Sequence, residues 1–170
     1  MNKNLPHISK YGYYQFITFR THDSVDDYLK KILNTTMQNN KKQYAIDRYL
    51  DSSQNGVYLN GMVLKDSKEY ILKQDKKLFE LVSFSIMPNH IHIFFKEIVP
   101  LNEAMRKLKG GLSFLINKRL NRKGQFWANN YYDKLIRDER HFNVVYNYIE
   151  NNAIKANLKD YRDRFYTIYE

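Results

Sequence analysis

The chain has 170 residues, 43% of them hydrophobic and 15% aromatic, which fits one folded globular domain and excludes a disordered chain. It has no cysteine, so disulfides, thiolate metal sites and a cysteine nucleophile are excluded together. With 28 Lys and Arg against 18 Asp and Glu the formal charge is +10, and with 15 Tyr and 10 Phe this suits a nucleic-acid partner: cations for phosphates, rings for unstacked bases. Met1 to Lys10 is polar and no run approaches a membrane span, so a cytoplasmic protein with no membrane partner is expected.

A loose N-terminal tail leads into Tyr11 to Thr21, whose alternating aromatic and β-branched residues predict a strand. Residues 26–39 and 41–50 have the apolar spacing of helices, with Asp23 or Ser24 as the first N-cap. Residues 52–56 (Ser-Ser-Gln-Asn-Gly) form a turn cluster, and 60–73 predict a helix with Gly61 near its start. Leu78 to Met87 reads as a strand, Pro88-Asn89 as a turn or kink, and His90 to Glu97 as a further strand.

That last strand carries His90 and His92. Side chains two apart in a strand project from one face, so the two imidazoles converge while Ile91 and Ile93 face the other way. Two converging imidazoles make a natural pair of metal ligands; taken alone, they are more simply explained as polar residues on the wet face of an edge strand.

Pro100 precedes a helix over 101–121 with an apolar stripe of Leu101, Met105, Leu108, Leu112, Leu115 and Ile116. Its remaining surface is basic, continuing into Arg122 and Lys123, and only Glu103 on it offers a counter-charge, which favours a face that tracks phosphates. Gly110-Gly111 inside this helix marks close packing or a kink. Residues 125–135 predict a fourth extended segment. Asp138 caps a helix over 139–152, buried through Val144, Val145 and Ile149, and the remainder is polar with scattered aromatics. The order β-α-β-β-α-β-α predicts an α+β ferredoxin-like sandwich: a central antiparallel sheet with helices packed on one face.

On the last helix Tyr148, Asn151, Asn152 and Lys155 stand at i, i+3, i+4 and i+7 and share one stripe. A solvated face with a tyrosine lying along it explains this stripe on its own. Three segments taken together say more. MPNHIHIFF (87–95), FWANNYYDKLIRDERHF (126–142) and YIENNAIKANL (148–158) resemble, in order, the signatures of small HUH endonucleases of the single-tyrosine transposase superfamily, closest to the REP-associated tyrosine transposases (RAYT, IS200-like). The resemblance spans about 11–158, so the whole of 1–170 is expected to be one HUH domain.

It implies that His90 and His92 bind one divalent metal, Mg²⁺ or Mn²⁺, that Tyr148 is the nucleophile on a C-terminal helix, and that Asn152 supplies the third metal ligand, with Asn151 as its competitor. It implies a metal-dependent single-stranded DNA endonuclease and strand transferase that forms a 5′-phosphotyrosine link at hairpin or palindromic DNA. Arg20, Lys107, Arg119, Lys123, Trp127, Arg137 and Lys155 are the expected DNA contacts. Tyr131 and Tyr132 match the family's Tyr-Tyr-Asp motif and read as strand packing or base stacking. Two positions depart from the family pattern: Ala153 stands where a proline is usual, which lets the nucleophile helix continue, and Asn157 stands where a glycine is usual. A monomer or homodimer is compatible, with a monomer expected. The alternatives are a non-catalytic nucleic-acid binder on the same scaffold and a metal-dependent phosphodiesterase acting on RNA.

Overall fold

In a computed structural model, which describes residues 7–169, five strands form one antiparallel sheet. They are β1 (Tyr14–Arg20), β2 (Phe79–Ile86), β3 (His90–Glu97), β4 (Tyr132–Ile136) and β5 (Phe165–Thr167), in the spatial order β4-β1-β3-β2-β5. The helices are α1 (Asp27–Leu33), α2 (Asn39–Ser52), α3 (Gly61–Lys73), α4 (Leu101–Arg119), α5 (Glu139–Lys155) and the short α6 (Tyr161–Arg164). The first four strands, with α3 and α4 as crossovers, make the expected ferredoxin-like α+β sandwich, to which β5 adds an edge.

Alternation along the strands divides the core in two. Ile17, Phe19, Ile91, Ile93 and Phe95 pack with Leu64 and Ile71 of α3 and with Leu101, Met105, Leu108, Leu112 and Ile116 of α4. Phe16, Val82, Phe94 and Ile136 lie on the opposite face, under Val145 and Ile149 of α5. A third cluster, Leu29, Ile46 and Leu50, holds α1 against α2. Among the described residues no helix is long and apolar enough to cross a membrane.

Several boundaries differ from expectation for identifiable reasons. The first strand begins at Tyr14, because Gly12 turns the chain at φ 78°. Asp26, not Asp23 or Ser24, caps α1 by accepting from Leu29 N at 2.9 Å; the other two lie in a 3-10 turn. The extended segment expected over 125–135 shortens to β4, with only a bridge between Trp127 and Thr21 before it. Residues 1–6 of the expected tail lie outside the described residues. Residues 7–10 are exposed but held by specific contacts: His7 stacks on Tyr131 at 4.1 Å and Lys10 N donates to Glu97 Oε2 of β3 at 2.9 Å. Val144 is exposed, and α5 buries Val145, Ile149, Asn152 and Ala153 instead.

The paired glycines mark close packing rather than a kink: α4 runs unbroken, and a Cβ at Gly111 would collide with the Tyr70 hydroxyl of α3. Asn157 takes φ 56° just past α5, the left-handed termination that asparagine tolerates. The C-terminal segment holds more structure than its composition suggests. Arg164 is 2% exposed and donates to Leu59 O (3.0 Å), Ile86 O (2.9 Å), Asn60 Oδ1 (2.6 Å) and Asp160 Oδ1 (2.7 Å). It thereby fastens α6 to the end of β2 and the start of α3.

Candidate active site

β3 is an interior strand, flanked by β1 and β2, and both histidines are fully buried. This removes the wet-edge explanation of the pair. Their rings meet edge to face with centroids 4.8 Å apart, opposite Arg20 (His90) and Thr18 (His92) on β1.

Each ring is held by its Nδ1. Asn89 Oδ1 lies 2.8 Å from His90 Nδ1, and the orientation of that amide is set because its Nδ2 donates to Leu50 O at 3.0 Å. Asn89 Oδ1 can only accept, so His90 carries its proton on Nδ1 and keeps a lone pair on Nε2. His92 Nδ1 is 2.7 Å from Thr18 Oγ1. Neither Nε2 has a hydrogen-bond partner, although both are buried. Burial holds both imidazoles well below the ordinary histidine pKa, His92 at about 3, so both are neutral and able to donate to a cation.

Two carboxylates of α2 face these nitrogens. Asp47 and Asp51 are one turn apart and share a stripe with Gln43, whose Nε2 donates to Asp47 Oδ1 at 2.7 Å. Donor atoms of Asp47, His90 and His92 lie within 4.8 Å of one another, and Asp51 Oδ1 is 3.7 Å from His90 Nε2. Burial pushes the Asp47 carboxyl up to about 7, against the hydrogen bonds from Tyr148 and Gln43 that favour its ionised form. Burial likewise raises Asp51 to about 6. Two neutral imidazoles with bare lone pairs, facing two carboxylates, are a donor set that fits a hard divalent cation.

Tyr148 reaches this cluster from α5. Its ring lies 5.3 Å from that of His92, edge to face, and its hydroxyl donates to Asp47 Oδ2 at 2.5 Å. Burial, then the charge of Asp47 and the hydrogen bond to it, raise the phenol pKa strongly, while Asn152 favours the phenolate. Asn152, one turn on, is buried, and its Nδ2 makes no hydrogen bond of standard geometry. Asn151 turns outward and donates to Asn147 O at 2.8 Å.

The sequence model of the family described as "Transposase IS200 like" matches residues 53–152, more than half of the chain, including both histidines and Tyr148. The chain belongs to the IS200-like transposase family. Among solved structures it is similar to a REP-associated tyrosine transposase bound to a REP hairpin, at 15% identity, covering 90% of this chain and 73% of that one with a TM-score of 0.55, which establishes the shared fold. It is also similar to a proposed transposase of Deinococcus radiodurans, at 16% identity, covering 89% of this chain and 98% of that one with a TM-score of 0.49. Among curated proteins there is no match.

The expected DNA contacts of this IS200-like transposase separate into groups. Arg20 stands directly beside the histidines, mostly buried, with its Nε unpartnered. Lys123, Arg137 and Lys155 are exposed on three different segments. Lys107 pairs with Glu103 at 2.7 Å, and Arg119 with Asp66 of α3 at 2.6 Å, a counter-charge invisible to a reading of α4 alone. Trp127 is a core residue: it is 4% exposed and packed edge to face against Phe19 and Phe126, with no ring face open for a base. Tyr132 lies in β4 with its ring against Phe16, and Tyr131 stacks on His7; both serve packing.

Sequence reading missed Asp47, Asp51, Asn89 and Thr18. For the two aspartates the available signal was their i, i+4 spacing on the stripe of Gln43, between the buried Ile46 and Leu50.

Proposed function

We propose that this IS200-like transposase is a metal-dependent single-strand DNA endonuclease and strand transferase that acts through a covalent 5′-phosphotyrosine intermediate on Tyr148. The observation that carries the reading is the juxtaposition of the Tyr148 hydroxyl, hydrogen-bonded to Asp47, with the two unpartnered Nε2 atoms of His90 and His92. Family membership supports the transposase activity.

In the proposed step, the Tyr148 oxygen bonds to the scissile phosphorus as the bond from phosphorus to the 3′ oxygen breaks. The phenolic proton passes to Asp47, already its hydrogen-bond acceptor, and the departing 3′ oxygen takes up a proton to leave as a hydroxyl. Because the phosphodiester is exchanged rather than hydrolysed, a second 3′-hydroxyl can reverse the step and join strands. Mg²⁺ or Mn²⁺, held by His90 and His92, would polarise the phosphate and offset the charge that develops on it. Arg20, whose Nε is unpartnered beside His90, would hold a non-bridging phosphate oxygen. The exposed Lys123, Arg137 and Lys155 supply backbone contacts. The similar transposase seen bound to a REP hairpin supports folded single-stranded DNA as the substrate.

The test is a labelled single-stranded DNA panel containing hairpins, incubated with the protein and Mg²⁺ or Mn²⁺ and resolved under denaturing conditions. A protein-linked DNA band in wild type that is absent from Tyr148→Phe supports the reading. Tight binding with no adduct on any substrate would show a non-catalytic binder instead.

A further inference from the structure

The segment that matches the IS200-like family begins at residue 53, yet the histidine pair faces two carboxylates that come before it, on α2. We infer that Asp47 and Asp51 are ligands of the cation held by His90 and His92, so that α2 is a structural part of the metal centre. The inference rests on the proposed metal-dependent reading and specifies who completes its site.

Three observations converge on it. Both Nε2 atoms are completely buried and unpartnered, and what they face is α2. Asp51 Oδ1 is buried, accepts no hydrogen bond and stands 3.7 Å from His90 Nε2, a separation natural for two ligands of one ion. Finally, α2 is oriented toward the site by groups on both sides: Asn89 donates to Leu50 O while holding His90, and Gln43 holds the Asp47 carboxylate.

Hard divalent cations prefer anionic oxygen, which the carboxylates of α2 supply. The ion would then tie α2 to the central strand, so occupancy of the site and ordering of α2 are coupled.

The test uses Mn²⁺ alone, on the full chain without DNA. Mn²⁺ affinity is measured by isothermal titration calorimetry and by the loss of the free-ion paramagnetic resonance signal, for wild type, Asp47→Asn and Asp51→Asn. The expected result is that each aspartate variant weakens Mn²⁺ binding by about tenfold or more, the scale of loss seen when even a supporting partner of a metal ligand is removed. Amide hydrogen exchange over 39–52 should slow on adding Mn²⁺ to wild type and not to Asp51→Asn. Asp51 is 23% exposed at its side chain, so this variant tests the inference even if Asp47→Asn fails to fold. Wild type that binds Mn²⁺ together with an Asp51→Asn variant that binds it equally well would overturn the inference and leave the proposed function standing. Wild type that binds no Mn²⁺ would overturn both.

Discussion

The Tyr148 hydroxyl donates a 2.5 Å hydrogen bond to Asp47 Oδ2, joining two helices separated by 101 positions in the chain. The contact places the phenol beside the buried histidines and supplies its proton with an acceptor. It also holds the phenol in its protonated form, since burial and the neighbouring carboxylate both disfavour the phenolate. A positive ion on the far side of Asp47 would oppose that effect.

Tyr148→Phe should therefore abolish the covalent adduct while leaving hairpin binding within about threefold, because phosphate contacts supply most of the affinity. Electrophoretic mobility shift and denaturing gels on the same samples read the two properties separately. Persistence of the adduct would remove Tyr148 from its role.

Thr18→Val keeps the shape of the side chain but removes the hydroxyl 2.7 Å from His92 Nδ1. Loss of such an orienting partner is expected to weaken Mn²⁺ binding by about 10- to 100-fold. Calorimetry at constant pH measures this, and an unchanged affinity would show that Thr18 does not orient the ring.

Gly111→Ala gives a result opposite in sign to helix propensity. Propensity alone predicts a gain of about 1 kcal/mol. The collision with Tyr70 predicts instead a loss of about 1–3 kcal/mol by overpacking between α3 and α4. Urea denaturation decides between them.

Arg164→Met should destabilise the fold by about 3–5 kcal/mol, because it leaves Asp160, Asn60 and the carbonyls of Leu59 and Ile86 without their shared donor. Chemical denaturation monitored by far-UV circular dichroism is the measurement. A loss below about 1 kcal/mol would mean that solvent replaces these bonds readily.

Lys109 provides a pH dependence. Its amine is partly buried under the loop after α4, donating to Ala128 O at 2.8 Å, and burial lowers its pKa from 10.5 to about 8. Between those values the unfolded chain binds more protons at this position than the folded one, so its contribution to stability rises with pH over about 8 to 10.5. The melting temperature of wild type should accordingly gain on that of Lys109→Met as the pH is raised from 8 to about 9.5. A constant difference between the two would contradict the shift.

What could be read from the residues divides along a physical line. The ferredoxin-like order and the projection of His90 with His92 follow from periods of 2 and 3.6, which are properties of the chain itself; the inward turn of Tyr148 does not, because its stripe reads as a solvated face until α5 is packed on the sheet. The cap at Asp138 was equally local, its carboxylate accepting from His141 N at 2.7 Å. The strand β5 escaped notice because its three residues are too few to show a period and depend on pairing with β2. Trp127 reads as a DNA contact by its chemistry; only the packing of Phe19 and Phe126 around it makes it core.

The histidine pair on β3 was legible in local spacing, whereas the role expected of Tyr148 came from the resemblance of three motifs to a known family. That α2 closes the gap between them with Asp47 and Asp51 emerges only when the chain is folded. The i, i+4 spacing within α2 marks the two aspartates as a pair but not as neighbours of the histidines, since the partners of those carboxylates lie on β3 and α5. Burial against those partners is what turns an ordinary aspartate into a group with raised pKa and chemistry of its own.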